Sequence, residues 1–210
     1  AVLWDLDGTL TDSVRFVVDT ANAVITRHGG TALGVAEVSG MTGLPLESIF
    51  RMAWPDLSAE DAVTYRTEYR RLYDEVAIPA TRLYRGALTT LRAFRRAGLR
   101  QATVTGKRAE DCERILRGLG LRREVDVYLG GDSVERPKPE PDLALRAMEL
   151  LGTSPAETAV VGDTRTDMRM ARAAGALAVQ VLWGVETERV PEADLTVRTW
   201  PELRERILRG

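Results

Sequence analysis

Two aspartates, Asp5 and Asp7, stand two positions apart directly after an apolar run at the start of the chain. Side chains at positions i and i+2 of a strand share one face, so both carboxylates can point into one site where the strand ends. Gly8 allows a sharp turn with an exposed amide, and Thr9 and Thr11 supply hydroxyls. Because like charges held close together repel unless a cation or a proton intervenes, this pair predicts a bound divalent metal ion.

A second pair of acids, Asp163 and Asp167, follows another apolar segment at residues 158–161. Taken alone, this segment also fits the start of a helix. Asp163 or Thr164 would then be the N-cap, and Asp167 would face the positive end of the helix dipole. The Asp5 segment alone would likewise fit an ordinary acidic turn. A functional interpretation therefore depends on where the fold brings these segments.

Lysine is rare in this chain. Of the 29 Lys and Arg residues only Lys107 and Lys138 are lysines, so a lysine at a given position needs a reason. Arg is a broad bidentate fork, whereas Lys is a compact charge on a slim stem. Lys107 follows Thr105 and Gly106, and Lys138 lies between two prolines. Both lysines therefore join the candidate site residues, although Lys107 equally fits a solvated residue in the first turn of a helix.

Helical and strand patterns alternate from residue 87 onward, and glycines follow several of the helical segments, as C-caps would. We predict helices at 87–97, 107–119, 139–151, 166–174 and from 199, and strands at 100–105, 125–129, 158–161, 177–182 and 194–197. Strands separated by helices predict a parallel sheet with right-handed crossovers. The fold class predicted is α/β, with a doubly wound Rossmann-like core.

An insert separates the first strand from the rest of this core. Helical spacing of apolar residues predicts a helix after Ser13, which is its candidate N-cap, a short helix at 45–53 and a longer one at 58–76. The segment contains no convincing strand pattern. We therefore predict two domains: residues 1–12 and 86–210 form the core, and residues 13–85 form an inserted α-helical cap.

Ligands of a doubly wound sheet bind beyond the carboxyl ends of its strands. The predicted strands end at Asp5 and Asp7, at Thr105-Gly106-Lys107, before Lys138, and at residues 162–167. The topology should therefore bring these four separated segments to one crevice.

Composition excludes several classes of function. The 210 residues are 44% hydrophobic and carry a formal net charge of −2, so no strong field would recruit nucleic acid or an acidic membrane. No apolar run approaches the roughly 18 residues of a membrane span. A single cysteine, Cys112, rules out an internal disulfide framework and favours a reducing, cytoplasmic location.

In order and spacing, the four segments resemble the four motifs of the haloacid dehalogenase-like hydrolase superfamily. The closest resemblance is to its phosphoglycolate phosphatase-like members, which carry a helical C1 cap after the first motif. The resemblance covers essentially the whole chain. It implies that Asp5 is a nucleophile that forms an aspartyl-phosphate and that Asp7 is the general acid and base. In its acid role Asp7 must hold a proton.

The same resemblance implies a cofactor and a set of substrate contacts. Mg²⁺ would be held by Asp5, by the main-chain carbonyl of Asp7 and by Asp163, with Asp167 joining directly or through a metal-bound water. The Thr105 hydroxyl and backbone amides would hold the phosphoryl oxygens, while Lys138 would neutralise phosphate and nucleophile. The amides expected in this role are those of Gly8 and Gly106. The family often has Asn where this chain has Gly106, so any side-chain contact from that position is lost.

The implied function is Mg²⁺-dependent hydrolysis of a small phosphorylated metabolite, with phosphoglycolate as the named candidate, by a monomer or homodimer. Dehalogenases and phosphonatases of the superfamily lack an acid at the position of Asp7. A β-phosphoglucomutase-like phosphotransferase shares the acid and the cap, but it usually carries a cap histidine and lysine that residues 14–17 here do not supply. A metal-binding or phosphate-binding module without turnover is the remaining alternative.

Several other residues have structural interpretations. His28 suits the carboxyl end of a helix, and Cys112 suits a packed apolar position. Tyr65, Tyr69 and Tyr73 form a helical stripe typical of packing within the cap.

Three features of the insert could contact the non-phosphate end of a substrate, although solvated side chains are the simpler interpretation of the two arginines. These features are Arg15, Arg51 and the turn Gly43-Leu44-Pro45.

Overall fold

The computed structural model describes residues 1–39 and 46–209 of the chain. Its core is a six-stranded sheet in the order β5-β4-β1-β6-β7-β8, and all neighbouring strands are parallel. These strands are β1 (Val2–Trp4), β4 (Gln101–Val104), β5 (Val127–Leu129), β6 (Ala159–Gly162), β7 (Leu177–Val181) and β8 (Leu195–Val197). The predicted α/β class with a parallel, doubly wound sheet is confirmed.

Helices cover both faces of this sheet. They are α5 (Ala87–Arg96), α6 (Ala109–Gly118), α7 (Asp142–Leu151), α8 (Arg165–Ala173) and α9 (Trp200–Arg209). Successive residues of β1 point to opposite faces, so Val2 and Trp4 join one apolar core while Leu3 joins the other. The first core includes residues of α5, α6 and α9, and the second includes residues of α7 and α8. Both faces are buried, which explains why the strands read as continuous apolar runs.

The predicted helical insert contains α1 (Val14–Arg27), α2 (Val35–Ser39), α3 (Leu46–Ala53) and α4 (Ala59–Ala80). Aromatic rings hold α4 to its neighbours: Tyr65 packs on Phe50 and Trp54, and Tyr73 packs on Phe16 of α1. The short helix α2 has too few residues to show a helical period, so the sequence did not predict it.

The expectation that the insert lacks a strand was wrong. Two-residue strands β2 (Thr11–Asp12) and β3 (Arg82–Leu83) pair antiparallel where the chain leaves and re-enters the core. Two residues are too short for an alternating pattern to be visible in the sequence. The ribbon lies at the proposed boundaries near residues 12 and 86, which stay a prediction.

Several helices also begin later than predicted. Helix α7 starts at Asp142 rather than near residue 139, and α6 starts at Ala109 rather than 107. Lys138 and Lys107 therefore lie in loops ahead of the helices, where their side chains can turn towards the sheet edge. No helix within residues 1–39 and 46–209 is long and apolar enough to cross a membrane.

Candidate active site

Four acids and two lysines meet at the carboxyl edge of the sheet. Asp5 and Asp7 follow β1, Asp163 follows β6, and Asp167 lies in the first turn of α8. In the part of the chain that the structure describes, one group of acids could hold a metal ion. It consists of Asp5, Asp163 and Asp167, with one ligand oxygen from each lying within 4.8 Å of the others. The expectation that the topology would bring these segments together is confirmed.

Lys138 neutralises part of this acid group. Its Nζ donates to Asp5 Oδ1 at 2.6 Å and to Asp167 Oδ1 at 2.5 Å, and its side chain is fully buried. Burial alone would lower the lysine pKa, but the charges of Asp167 and Asp5 outweigh it and raise the pKa. Lys138 is therefore a fixed cation between two acids, and the site still holds more negative than positive charge.

Asp163 is fixed by contacts that the sequence did not reveal. The Thr9 hydroxyl donates to its Oδ1 at 2.9 Å, and the Val185 amide donates to its Oδ2 at 2.7 Å. Gly8 and Gly184 lie so close that a Cβ on either would be 2.2 Å and 2.3 Å from Asp163 Oδ2. Gly8 also has a φ of +81°, which favours glycine. These two glycines let the backbone close around the carboxylate.

Asp167 has a structural role as well as a place in the acid group. It forms a reciprocal capping box with Thr164, whose hydroxyl and amide donate to Asp167 Oδ2 at 2.6 and 3.1 Å. Its other oxygen accepts from Lys138, so protein groups already contact both oxygens. The helix-cap interpretation of this segment is thus correct for Thr164 and Asp167, and it coexists with their place at the sheet edge.

Burial and neighbouring charges raise the pKa values of Asp5 and Asp163. Burial, followed by the charges of Asp167 and Asp7, raises the pKa of Asp5 to about 7, although Lys138 opposes the shift. Burial and the charges of Asp5 and Asp167 also raise the pKa of Asp163 well above its usual range. The site thus disfavours its own negative charge at neutral pH, which is the condition that a bound cation relieves.

This donor set fits a hard divalent ion. Carboxylate oxygens are the ligands that Mg²⁺ prefers, and they are converging and buried here. The side chain of Asp7 is not a member of this acid group.

Asp7 instead belongs to a second cluster. Lys107 Nζ lies 3.0 Å from Asp7 Oδ2, and the Ser13 hydroxyl donates to Asp7 Oδ1. Ser13 precedes α1 but makes no side-chain cap on that helix, so its predicted capping role was wrong. The hydroxyl turns to the carboxylate because Asp7 offers a charged acceptor within reach. Lys107 is not a solvated residue: only 11% of its side chain is exposed, and its Nζ lies 4.6 Å from the centre of the Tyr73 ring.

Thr105 and Gly106 directly precede Lys107 in the chain. Thr105 is buried at the end of β4, and its hydroxyl accepts a hydrogen bond from the Lys107 amide at 3.3 Å. Gly106 follows in the loop before α6 and is partly exposed.

The remaining candidates have structural surroundings. His28 ends α1, and its Nε2 lies 2.7 Å from Glu68 Oε2. Cys112 is fully buried, and burial raises its pKa to about 12, as suits a packed thiol rather than a nucleophile. Arg51 pairs with Glu47 at 2.7 Å, and Arg15 is exposed. The turn at residues 43–45 lies outside the described residues.

Sequence reasoning thus missed Ser13, Gly184 and Val185, and it left Lys107 undecided. Only Lys107 carried a signal, the scarcity of lysine. A serine, a glycine and a backbone amide are common in every loop, and only the folded chain shows which of them contact an acid.

The fold and the site together define an α/β enzyme with a buried acidic site able to hold a divalent cation. Residues 2–181 match the haloacid dehalogenase-like hydrolase family, and the chain belongs to this family. A phosphoglycolate phosphatase of Chromobacterium violaceum is 31% identical over 100% of this chain and 97% of its own length. One from Xanthomonas campestris pv. campestris strain 8004 is 30% identical, with 98% and 95% covered.

Solved structures agree on the fold. A haloacid dehalogenase-like family hydrolase from Streptococcus pneumoniae superposes with a TM-score of 0.83 at 22% identity, covering 98% of this chain and 96% of that one. A hydrolase from Pseudomonas syringae gives 0.84 at 22% identity, covering 99% and 96%. The protein is a hydrolase of phosphoric monoesters, a phosphatase of the haloacid dehalogenase-like type.

Proposed function

We propose that this protein is a Mg²⁺-dependent phosphatase that hydrolyses a small phosphomonoester through an aspartyl-phosphate on Asp5. One observation carries the proposal. Lys138, which is fully buried, bridges Asp5 and Asp167, and Asp163 belongs to the same acid group, so three acids and one ammonium leave an excess of negative charge. A Mg²⁺ ion held by Asp5, Asp163, Asp167 and the main-chain carbonyl of Asp7 would balance that charge and reduce its repulsion of a phosphate.

In the first step a carboxylate oxygen of Asp5 attacks phosphorus. The new O–P bond forms as the ester O–P bond breaks, and the departing oxygen takes a proton from Asp7. In the second step Asp7 accepts a proton from water, which attacks phosphorus and releases phosphate and Asp5. Splitting hydrolysis in this way lets one carboxyl group act as an acid and then as a base.

The other site residues bind and orient the phosphoryl group. We assign its oxygens to the Thr105 hydroxyl, the Gly106 amide and the ammonium of Lys138. The Gly8 amide, which was expected in this role, instead donates to the Thr11 carbonyl at 2.8 Å. Lys138 also holds Asp5 in place at 2.6 Å, so the nucleophile is oriented before substrate arrives.

Phosphoglycolate is the candidate substrate. Two relatives that cover nearly the whole chain are named phosphoglycolate phosphatases. The site also lies under the insert, whose residue Tyr73 contacts Lys107, so it suits a small metabolite better than a macromolecule.

The test is phosphate release from a panel of small phosphate esters, with Mg²⁺ and with EDTA, by the native protein and by Asp5→Asn. We expect release that requires Mg²⁺, and a loss of about 1,000-fold or more in the variant because an amide cannot form the acyl phosphate. Arg71→Met serves as a control, because it removes an exposed cation that pairs with Glu75 and leaves the nucleophile and the site intact. Release by Asp5→Asn at the native rate would overturn the proposal.

A further inference from the structure

Donor groups outnumber acceptors beside Asp7. Lys107 Nζ carries three protons, and one described carboxylate, Asp7, lies within ion-pair distance of it. Burial tends to lower the lysine pKa, but Asp7 and the nearby tyrosines raise it well above its usual value, so the ammonium stays charged. Because the side chain is nearly buried, solvent cannot fully satisfy the protons that remain.

The Tyr73 hydroxyl adds a second unsatisfied donor. Tyr73 is 4% exposed, and among the described residues its hydroxyl has no partner in full hydrogen-bond geometry. It is still close enough to Lys107 to help raise the lysine pKa. Burial raises the pKa of Tyr73, so the phenol keeps its proton and can donate. A buried polar group without a partner is costly, which is why such groups in native proteins usually have a ligand or water to bind.

Asp111, another acid near Tyr73, is already paired. Asp111 accepts from Arg108 Nε at 2.8 Å and from Arg114 at 3.3 Å. Ser13 donates to the second oxygen of Asp7. The unused donors of Lys107 and Tyr73 therefore need an acceptor from outside these residues.

A substrate would bring that acceptor to this place. Under the proposed function, on which this step rests, Asp7 protonates the leaving oxygen, so the leaving group must lie beside Asp7. Lys107 contacts Asp7 at 3.0 Å, and its ammonium lies over the Tyr73 ring, so the non-phosphate end of the substrate comes within reach of both donors.

We infer that Lys107 and Tyr73 bind the non-phosphate end of the substrate and select esters in which that end is anionic. A carboxylate and a second phosphate both have this chemistry. Tyr73 lies on α4 of the insert, and Lys107 lies in the core, so the specificity site spans the two. A neutral leaving group would leave the phenol and the remaining ammonium protons of Lys107 without a charged acceptor beyond Asp7.

The experiment compares kcat/KM for three substrates: 2-phosphoglycolate, 2-hydroxyethyl phosphate and pyrophosphate. The first two differ chiefly in a carboxylate against a neutral CH₂OH group. The variants are Lys107→Met and Tyr73→Phe, which keeps the ring packing on Phe16 at 5.1 Å. Arg71→Met is the matched control, because Arg71 is an exposed cation on the same helix and pairs with Glu75.

We expect the native enzyme to prefer an anionic substrate. Lys107→Met should reduce the preference for phosphoglycolate over hydroxyethyl phosphate by about 10- to 100-fold, and Tyr73→Phe by about 3- to 10-fold. Arg71→Met should leave the preference unchanged. Any effect of Lys107 on Asp7 alone would lower kcat/KM for the two alkyl esters by about the same factor and cancel from their ratio, because both release an alkoxide that needs a proton. A change confined to the preference for pyrophosphate over hydroxyethyl phosphate would identify phosphate rather than carboxylate as the anion that is bound.

Unchanged ratios in both Lys107→Met and Tyr73→Phe would overturn the inference, and would leave the proposed function standing if the native enzyme hydrolyses the esters. Failure of the native enzyme to hydrolyse any ester would instead overturn the proposed function itself. If Lys107→Met does not fold, the Tyr73→Phe ratio decides alone.

Discussion

The two clusters at the carboxyl edge of the sheet are opposite in character. Around Lys138, two of three clustered buried acids bind one ammonium, and protein donors contact each acid. Around Lys107, one acid faces an ammonium and a phenol whose hydroxyl has no hydrogen-bond partner among the described residues. The first cluster lacks positive charge, and the second lacks acceptors.

Under the proposed function, this difference would let one crevice bind the two ends of a phosphate ester. A cation and a phosphoryl group would complete the Lys138 cluster, and an anionic leaving group would complete the Lys107 cluster. The two lysines of the chain therefore have different tasks, although both are buried ammonium groups bound to aspartate. A compact cation suits both places, since a guanidinium would not fit between Asp5 and Asp167 without moving them.

Removing each lysine in turn should distinguish the two clusters most clearly. In EDTA, we expect Lys138→Met to lose about 3–5 kcal/mol of the free energy of unfolding, because two buried acids lose their partner. Lys107→Met should lose only about 1–2 kcal/mol, because Ser13 still donates to Asp7. Urea unfolding followed by circular dichroism measures both. Equal losses would show that the two clusters do not differ in charge balance.

Gly8→Ala tests how tightly the backbone encloses Asp163. The new Cβ would lie 2.2 Å from Asp163 Oδ2, so the carboxylate must move. We expect a loss of about 2–4 kcal/mol in the free energy of unfolding, combining backbone strain with the clash. We also expect Mg²⁺ affinity to fall about 10- to 100-fold.

Gly98→Ala is the matched control, since Gly98 has the same φ of +81° but nothing within 4 Å of a Cβ. It should cost about 1 kcal/mol and leave metal binding unchanged. If the two alanine variants lost the same stability and both bound Mg²⁺ normally, the close approach to Asp163 would have no consequence.

The metal-free protein should lose stability as pH rises from about 4 towards 7. The folded state keeps the Asp5 proton up to about pH 7, while the unfolded chain releases it near 3.8. The folded state thus binds more protons in this window, so the free energy of unfolding falls with pH. Between pH 5 and 7 we expect about 1–2 kcal/mol from this group.

Thermal unfolding in EDTA measures this pH slope, and Asp5→Asn, which cannot titrate there, supplies the reference. Saturating Mg²⁺ should flatten the native slope, because the ion takes the place of the proton. A native slope equal to that of Asp5→Asn would contradict the raised pKa of Asp5.

Arg51→Ala should have the smallest effect. Its guanidinium pairs with Glu47 on the exposed side of α3, so we expect less than about a twofold change in kcat/KM for any ester. Steady-state phosphate release with phosphoglycolate and hydroxyethyl phosphate checks this. A large, substrate-dependent loss would move the specificity site away from Lys107 and Tyr73.

The sequence predicted most of the Lys138 cluster because its residues lie at strand ends in recognisable motifs. Asp5, Asp163, Asp167 and Lys138 all meet as expected, since parallel strands bring their carboxyl ends to one edge.

The Lys107 cluster could not be predicted in the same way. Tyr73 lies on a helix of the insert, and nothing in the spacing of residues 58–76 shows which part of α4 meets the core. Ser13 read as a helix cap because serine is common there, yet a nearby carboxylate attracts its hydroxyl more strongly. Contacts between separately folded segments depend on how the insert sits on the sheet, and local sequence carries no signal for that.

Calorimetric titration of Mg²⁺ into the metal-free native protein, Asp163→Asn and Lys107→Met tests most directly which of the two clusters holds the cation. We predict one Mg²⁺ site per chain in the native protein, at least about 100-fold weaker binding in Asp163→Asn, and binding within about threefold of native in Lys107→Met. Native affinity in Asp163→Asn, or an equal loss in Lys107→Met, would contradict the assignment of the cation to the Lys138 cluster.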